Sequence, residues 1–352
     1  MPVETFEATD PMTAMVQFQT SAVYEMLVSL DTLVKARRHL EWVEKTRALL
    51  GPDFVAELTA LHKGSFHFNI EAAVDYPDHH DVPGFIDYLR KMDAATFVFY
   101  LIGRVVSLEQ IVAMNLNVDR IMKQVNDYYE GRHPITDESG LREAIANAAS
   151  YQTRLCDLLQ HYWTTFFYGE VPQLSARWAN AIAEKQRVIA RDGGQALLEL
   201  VTSRQYTLPD PLPAGHPITE IVCVPVYFVS SQSYHFFGYG NVTILFDSER
   251  TEAQVTQTNR AKDEALETTK ALGDNTRLNI LRLIAQYGDE MHGKSIAHKL
   301  NLSPSAVSRQ LAQLRDGGLI AEEHHDNQTV TYRLLRETLT SLPDKILDYL
   351  YS

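Results

Sequence analysis

The sequence predicts a mainly α-helical protein, with a multi-helix N-terminal domain, a small β element and a smaller α+β domain at the C-terminus. Three observations predict this organisation. Apolar residues recur at helical spacing through most of the first 200 positions. Prolines then cluster at 208–217 (LPDPLPAGHP), ahead of runs rich in β-branched and aromatic residues. The last hundred residues return to helical spacing and include two short β runs.

The N-terminal domain, which we place at residues 1–205, is predicted to hold eight or nine helices. Residues 1–17 lack a clear pattern and are expected to be frayed. The longest predicted helices cover 141–167 and 173–191, and Gly51-Pro52 is expected to stop an earlier helix. Most aromatic side chains here are expected in the core; the alternative is an apolar ligand pocket with tyrosine hydroxyls as polar groups.

The β element is placed at residues 206–250. Residues 220–229 (EIVCVPVYFV) and 241–246 (NVTILF) predict two strands, and 233–237 predicts a third. Gly238 and Gly240 are expected to form the turn between the last two runs. From Ser248 onward the spacing is helical again and leads into the C-terminal domain.

Residues 293–317 predict two helices joined by a tight turn at Asn301-Leu302. Ser303 is a good N-cap, and proline at the next position suits the first turn of a helix. Val307, Leu311 and Leu314 follow at spacings of four and three, which predicts a buried stripe. Two strands, 319–323 and 329–334, are predicted around a hairpin loop at 324–328. The domain at residues 255–352 is therefore predicted to be a winged helix-turn-helix.

This region resembles the winged-helix domain of the ArsR/SmtB family of bacterial transcription regulators, over about residues 264–350. Three motifs carry the resemblance: Leu-Gly-Asp-x-Thr-Arg at 272–277, Ser-x-Ser-x-Val-Ser-x-x-Leu at 303–311, and Leu-Arg-x-x-Gly-Leu-Ile at 314–320. The N-terminal part faintly resembles a domain of unknown function that precedes such wings in some Gram-positive regulators, on its Val224-Pro225 strand and the strand after it. That second resemblance implies no ligand.

The family resemblance implies a DNA-binding transcription regulator, which we expect to be a repressor acting on double-stranded DNA. Members pair as homodimers through the helices that flank the winged core, here near 253–271 and 335–351. A two-fold dimer predicts an inverted-repeat operator with half-sites about one helical turn apart. The N-terminal domain is expected to sense a small molecule, whose identity is not predicted. The alternatives are a protein-interaction module that uses the wing for localisation, and an enzyme with a DNA-binding tail.

The helix at 303–316 is expected to present its N-terminal end to base edges in the major groove. Arg309 is suited to guanine O6 and N7, and Gln310 to a base or a phosphate. Acidic Glu322, Glu323 and Asp326 in the wing are expected to weaken affinity. The predicted DNA-contacting residues, from the loop before the turn to the wing, are Lys294, Ser303, Ser305, Ser308, Arg309, Gln310, Asn327, Gln328 and Arg333.

The net charge of −13 lies mostly in the N-terminal part. From Lys262 onward there are 11 Lys and Arg against 13 Asp and Glu, whereas the first 261 residues hold 21 against 32. The acidic part is expected to face away from DNA. The N-terminus lacks the basic and apolar regions of a signal peptide, and the longest apolar run is broken by Arg104, so a cytoplasmic location without membrane contact is expected.

No metal or other cofactor is expected. Metal-sensing relatives carry cysteine pairs in the helix before the turn, where this chain has none, or Asp and His near the C-terminus, where it has Asp344 and Asp348 without His. The run 78–81 (DHHD) is interpreted as a solvated loop, because adjacent side chains diverge. Cys156 and Cys223 are interpreted as buried structural thiols.

No enzymatic activity is expected either. Residues 288–295 (GDEMHGKS) fit a phosphate-binding loop formally, but the preceding residues 278–287 predict an amphipathic helix and not the strand that such a loop follows. The Gly-x-Ser-x-Gly and His-Glu-x-x-His motifs are absent from the sequence.

Overall fold

The computed structural model describes residues 10–64, 67–129, 137–208, 217–229, 233–237, 240–288, 291–326 and 329–351. The chain divides into two compact units, Met1–Arg250 and Thr251–Ser352, called the first and the second unit below. Both are rich in helix, which confirms the predicted mainly α fold class with an α+β region at the C-terminus. No helix within the described ranges is long and apolar enough to span a membrane.

The first unit is built on a core of helices. The described α-helices are α1 (Pro11–Met15), α2 (Ala22–Lys35), α3 (Leu40–Lys63), α4 (Val82–Lys91), α5 (Ala94–Leu101), α6 (Leu108–Ala113), α7 (Val118–Tyr129), α8 (Glu138–Ala146), α9 (Ala148–Thr165) and α10 (Val171–Thr202), with 3₁₀ helices at His67–Ala73 and Phe167–Gly169. Helix α2 is buried over almost its whole length, and α3, α4 and the 3₁₀ helix His67–Ala73 pack against it.

One helix prediction needs correction. The single helix expected at 141–167 is two helices, because the backbone turns at Asn147 (φ −116°, ψ 35°). Two expected helix ends are confirmed, because the backbone is non-helical at Gly51 (φ 82°, ψ 166°) and at Gly193 (φ 85°, ψ 176°), just after the end expected at residue 191. At both positions a glycine allows a positive φ that redirects the chain between two helical segments, of α3 and of α10 respectively.

A four-stranded sheet completes the first unit. Its strands are β1 (Val16–Phe18), β2 (Glu220–Val226), β3 (Tyr234–Phe237) and β4 (Asn241–Asp247), in the spatial order β1-β2-β4-β3. The first three in that order run parallel, and β3 pairs antiparallel with β4. The three strands predicted from the sequence are confirmed, with slightly different ends. Because β2 and β4 are parallel, they are not joined by a simple hairpin. The chain leaves β2, forms β3 at the far edge of the sheet and then returns as β4 between them.

The prediction that residues 1–17 are frayed was wrong for the described residues 10–17. The side chain of Asp10 accepts a hydrogen bond from Met12 N and so caps α1. The same carboxylate accepts from Gly194 N at 3.0 Å, at the kink of α10. Val16 then pairs with Ile221 as β1 joins the edge of the sheet. The contacts with Gly194 and Ile221 span 184 and 205 positions along the chain, so no local pattern could reveal them.

Aromatic side chains fill much of the first unit's core, as expected. Phe97, Tyr162 and Phe167 are fully buried, whereas Tyr168 is exposed. The hydroxyl of Tyr162 lies 2.9 Å from Ser29 Oγ, which satisfies it inside the core.

The second unit contains five helices and a two-stranded wing within its described residues. These elements are α11 (Glu252–Leu272), α12 (Asn275–Tyr287), α13 (Gly293–Leu300), α14 (Pro304–Asp316), β5 (Ile320–Asp326), β6 (Thr329–Leu334) and α15 (Arg336–Tyr351). Its small apolar core draws on α12, α13, α14 and the start of β5. The loop expected at 324–328 is shorter, because β5 continues to Asp326 through an irregularity after His324.

A candidate nucleic-acid interface

The turn between α13 and α14 has the predicted geometry. Asn301 adopts a left-handed conformation (φ 53°), which asparagine tolerates better than most residues. Leu302 N donates to Ala297 O at 3.0 Å and closes the turn. The hydroxyl of Ser303 accepts from Ala306 N at 3.2 Å, and Pro304 occupies the first helical position. The local sequence therefore fixes both the end of α13 and the start of α14.

The buried stripe of α14 decides which of its side chains face outward. Val307, Leu311 and Leu314 are buried in the second unit's core, as predicted. Ser305 and Ser308 are exposed, and so is Arg309. Because residues three and four apart share a helix face, these three outward side chains form one polar surface at the N-terminal half of the helix.

Arg277 fixes the position of α14. Its Nη1 donates to Gln313 Oε1 at 2.6 Å and to Gln310 Oε1 at 3.2 Å. Its Nε donates to Ala271 O and its Nη2 to Lys270 O, at 2.6 and 2.8 Å. One guanidinium thus joins the end of α11, the start of α12 and the middle of α14. A planar fork with five donors is suited to this task.

Sequence reasoning missed this role of Arg277. The signal was present in the Leu-Gly-Asp-x-Thr-Arg motif, because Asp274 caps α12 by accepting from Arg277 N at 3.0 Å. These hydrogen bonds of Arg277, called the Arg277 clamp, also change the interpretation of Gln310. Its side chain is half-buried and already bonded to Arg277. Its role as a DNA contact stays a prediction.

Lys294 and Arg309 are the predicted cationic contacts that stand free of ion pairs. Both are exposed, and in the part of the chain that the structure describes, no carboxylate lies within salt-bridge distance of either. Nearby, the Lys299 ammonium lies 4.3 Å from the centroid of the Tyr287 ring. An unpaired exposed cation keeps its full charge for a phosphate or a base edge.

Glu322 and Glu323 in the wing are each paired with an arginine. Glu323 accepts from Arg333 Nε at 2.7 Å, and Glu322 accepts from Arg315 Nη1 at 3.1 Å. The expectation that these acidic residues weaken the affinity for DNA stays a prediction. The predicted phosphate contact Arg333 is already paired, although an exposed pair of this kind is worth less than about 1 kcal/mol and can be exchanged. Asn327, Gln328 and the side chain of Asp326 lie outside the described residues.

The loop of residues 288–295 does not follow a strand. It follows helix α12, as predicted, and its residues 289–290 lie outside the described ranges. Ser295 Oγ lies 3.1 Å from His292 Nδ1 at the start of α13.

The side chains of the run at 78–81 in the first unit are all hydrogen-bonded, the aspartates locally and the histidines to residues 58 and 60 positions away. His79 Nδ1 lies 3.1 Å from Ser21 Oγ, and His80 Nε2 lies 2.9 Å from Thr20 Oγ1. Asp81 caps α4. Burial lowers the pKa of His79 to about 4. Among the described residues, no group of three or more His, Cys, Asp or Glu side chains is placed to hold a metal ion.

Comparison with known proteins agrees with this geometry in the second unit. The family model for bacterial regulatory proteins of the arsR family matches residues 274–322, from the cap of α12 to the start of the wing. The arsenic resistance transcriptional regulator ArsR1 of Pseudomonas putida is 42% identical over 65 residues, which are 18% of this chain and 49% of that protein. The chain thus spans about half the length of this relative. The C-terminal part of the chain therefore carries a helix-turn-helix of the arsR family of bacterial regulatory proteins.

Proposed function

We propose that the protein is a DNA-binding transcriptional regulator, acting as a repressor, that reads an inverted-repeat operator through α14. One observation carries the proposal: Arg309 is exposed and unpaired among the described residues, on a helix that Arg277 holds in place. A rigid helix that presents a free guanidinium and two serines has the chemistry for reading base edges in a major groove.

Some of the proposed contacts read base edges, and others position the protein on the DNA backbone. Arg309 would read guanine bidentately, with Ser305 and Ser308 beside it. Lys294 and Ser303 would hold phosphates on either side of the turn. From the wing, Asn327, Gln328 and Arg333 would reach the backbone or the minor groove, after Arg333 exchanges Glu323 for a phosphate.

The proposed assembly is a homodimer that pairs through α11 and α15. These two helices pack together, and Lys345 Nζ bonds Glu264 Oε2 at 2.6 Å. Apolar side chains remain exposed on both, among them Leu266, Ile346 and Leu347. Burying this surface against a second copy would remove it from water and place two α14 helices about one DNA turn apart.

The dimer is tested by light scattering after size exclusion at micromolar concentration. A dimer is expected for the unaltered protein, and Leu347→Lys should shift it to monomer and lower its affinity for DNA. Leu49→Lys, at an exposed leucine of the first unit, is the matched control. A monomer in the unaltered protein would contradict the two-fold operator.

The first unit is proposed to sense a small molecule and to change the operator affinity. A coupling of about 1–3 kcal/mol between the effector and operator sites would be sufficient for regulation. A metal effector at the family's thiolate position is not proposed, because both cysteines of the chain, Cys156 and Cys223, are buried in the first unit.

The central experiment is fluorescence anisotropy with the promoter DNA upstream of the protein's own gene, across a salt series. Arg309→Ala should weaken specific binding about tenfold or more, because a good bidentate contact is worth about 1–3 kcal/mol. Lys294→Ala should weaken all DNA alike and reduce the salt slope by about one. Arg315→Ala is the matched control, since Arg315 lies on the same helix but is paired with Glu322.

No binding at low salt by the folded protein would contradict the proposal. It would favour the alternative in which the winged unit binds a partner protein. Equal loss in Arg309→Ala and Arg315→Ala would contradict base reading by the N-terminal half of α14 and leave only a general charge effect.

A further inference from the structure

Arg104 lies three residues after the end of α5 in the first unit and is only 2% exposed. Its backbone is left-handed (φ 59°), directly after a left-handed Gly103 (φ 73°). A left-handed conformation is unfavourable for a residue with a Cβ, and it persists only where the surrounding contacts impose it. The chain therefore accepts backbone strain in order to place one guanidinium inside the unit.

The guanidinium is only partly satisfied. Its Nε and Nη2 both contact Glu71 Oε2, at 3.0 and 2.9 Å, and Nη2 also donates to Phe237 O at 2.8 Å. Its Nη1 is buried and has no hydrogen-bond partner among the described residues. Asp75 Oδ2 lies 3.7 Å from Nη1, too far for a hydrogen bond. A buried charged donor without a partner is costly, and most native structures avoid one.

Asp75 connects this donor with solvent. Its side chain is 45% exposed, whereas the Arg104 side chain is fully buried. The hydroxyl of Tyr100 donates to Asp75 Oδ2 at 2.9 Å and lies 3.3 Å from the hydroxyl of Tyr88. Tyr100 thus holds a half-exposed carboxylate just beyond hydrogen-bonding distance of the buried guanidinium.

We propose that this cluster, Arg104, Tyr100, Asp75 and Glu71, binds a small organic monocarboxylate, which displaces Asp75 into solvent. The ligand carboxylate accepts from Arg104 Nη1 and from the Tyr100 hydroxyl. A monoanion then replaces a monoanion, so the charge around the guanidinium is unchanged. A dianion such as phosphate would add charge beside Glu71, which opposes its binding.

Two further features favour an organic carboxylate. The half-buried rings of Tyr76 and Tyr88, with centroids 5.4 Å apart, supply apolar surface for a carbon skeleton. Burial raises the pKa of Glu71 to about 7, although Arg104 opposes the rise. Near neutral pH, Glu71 therefore compensates the guanidinium only in part, so a second carboxylate beside it, that of Asp75 or that of the ligand, is favoured.

As an effector site, the cluster rests on the sensing role of the proposed function, but binding itself is measured without DNA. The probes are sodium propionate and sodium benzoate, with sodium chloride and phosphate at matched ionic strength. Thermal shift and titration calorimetry are performed on the full chain. The unaltered protein is expected to bind the carboxylates and to show a higher melting temperature with them than with chloride.

Three variants sharpen the test. Asp75→Ala removes the internal competitor and should bind benzoate at least about fivefold more tightly. Tyr100→Phe removes one charge-assisted hydrogen bond and should bind about tenfold or more weakly. Asp87→Ala, at an exposed carboxylate on α4, is the matched control and should match the unaltered protein. Tryptophan fluorescence verifies that each variant is folded.

The proposal is overturned if the carboxylates shift neither the unaltered protein nor Asp75→Ala. It is also overturned if all the variants respond equally, or if phosphate binds as tightly as benzoate. Carboxylate binding that leaves operator affinity unchanged would retain this site and remove only its effector role. Failure to bind DNA in the anisotropy experiment would contradict the proposed function and leave this binding test intact.

Discussion

The two units place their charged groups differently. The first unit buries Glu25, Asp31, Arg104 and Lys185, each at 2% exposure or less. In the second unit, the buried polar side chains among the described residues are threonines, Thr268 and Thr331. The core of the first unit therefore contains charged side chains. The described core of the second unit contains none, and its charged side chains lie at the surface.

The buried charges of the first unit join segments that are far apart in the sequence. The Glu25 carboxylate on α2 accepts from Trp178 Nε1 on α10 at 2.6 Å. It also accepts from Tyr227 N and Phe228 N just after β2, at 2.8 and 3.0 Å. Lys185 donates its ammonium to the carbonyl of Arg250. Such groups specify which elements meet, but each is costly if its partner is removed.

The difference suggests separate uses for charge in the two units. An arginine inside the first unit must be matched by its surroundings, so it is sensitive to substitution, pH and bound ions. Arg309, on the surface of the second unit and unpaired among the described residues, has little structural role and is available to another molecule. Substitutions in the two units test this contrast. The three tryptophans, Trp42, Trp163 and Trp178, all lie in the first unit, so their fluorescence reports the unfolding of that unit by itself.

The largest effect is expected for Arg104→Met. Glu71 would remain buried without its cation, and removing one partner of a buried pair typically costs about 3–5 kcal/mol. Urea unfolding followed by tryptophan fluorescence at pH 8 measures the loss. Arg90→Met is the control, because Arg90 forms an exposed pair with Asp157 at 3.0 Å. Equal small losses in both variants would show that the buried charge is not structurally important.

A pH dependence is expected from Glu25, since burial raises its pKa from 4.5 to about 7 against the opposing hydrogen bonds of Phe228, Tyr227 and Trp178. The folded pKa lies above the unfolded one, so this group's stabilisation is complete below about pH 4.5 and is lost as the pH rises through about 7. That interval corresponds to about 3 kcal/mol of unfolding free energy.

Glu25→Gln should remove this contribution. Relative to the unaltered protein, the variant should gain about 3 kcal/mol between pH 4 and pH 8. The glutamine amide accepts the hydrogen bonds of Trp178, Tyr227 and Phe228 less well than the carboxylate does. This loss does not depend on pH, so it cancels when the two pH profiles of unfolding free energy are compared. Glu44→Gln, at an exposed position of α3, should show no such gain. A pH profile of Glu25→Gln parallel to that of the unaltered protein would contradict the assignment.

A smaller effect is expected from the cap of α14. Ser303→Ala removes the acceptor for Ala306 N and should cost about 1 kcal/mol. Hydrogen exchange of peptides that cover 304–316, followed by mass spectrometry, measures the local opening. Ser308→Ala, on the exposed face of the same helix, should leave exchange unchanged. Faster exchange in Ser308→Ala would mean that the outward face also supports the fold.

The smallest effect on stability is expected for Arg309→Ala, below about 0.5 kcal/mol, because the side chain is exposed and unpaired among the described residues. The same substitution should reduce operator affinity. Hydrogen exchange across α14 checks the first point, and anisotropy the second. A large loss of stability would contradict the contrast with Arg104.

The sequence alone determined the helix-turn-helix. Its signals are local: the Ser303 cap, Pro304, the spacing of Val307 and Leu311, and the turn at Asn301 all act within four or five residues. Short-range hydrogen bonds and helical periodicity can be predicted from residues that are close together in the sequence. The same locality explains why the strands at 220–226 and 241–247 were found, whereas their parallel pairing was not.

Tertiary structure alone decided the partners of the charged and polar groups. Arg277 reaches Gln310 and Gln313, Glu25 reaches Trp178 at 153 positions' distance, and Arg104 reaches Phe237 at 133. The edge strand β1 likewise depends on β2, some 200 residues later. A side chain's charge is visible in the sequence, but its partner, its burial and therefore its pKa depend on which distant segments fold against it. The outward face of α14 could thus be predicted from the sequence, while the clamp behind it and the Arg104 cluster required the fold.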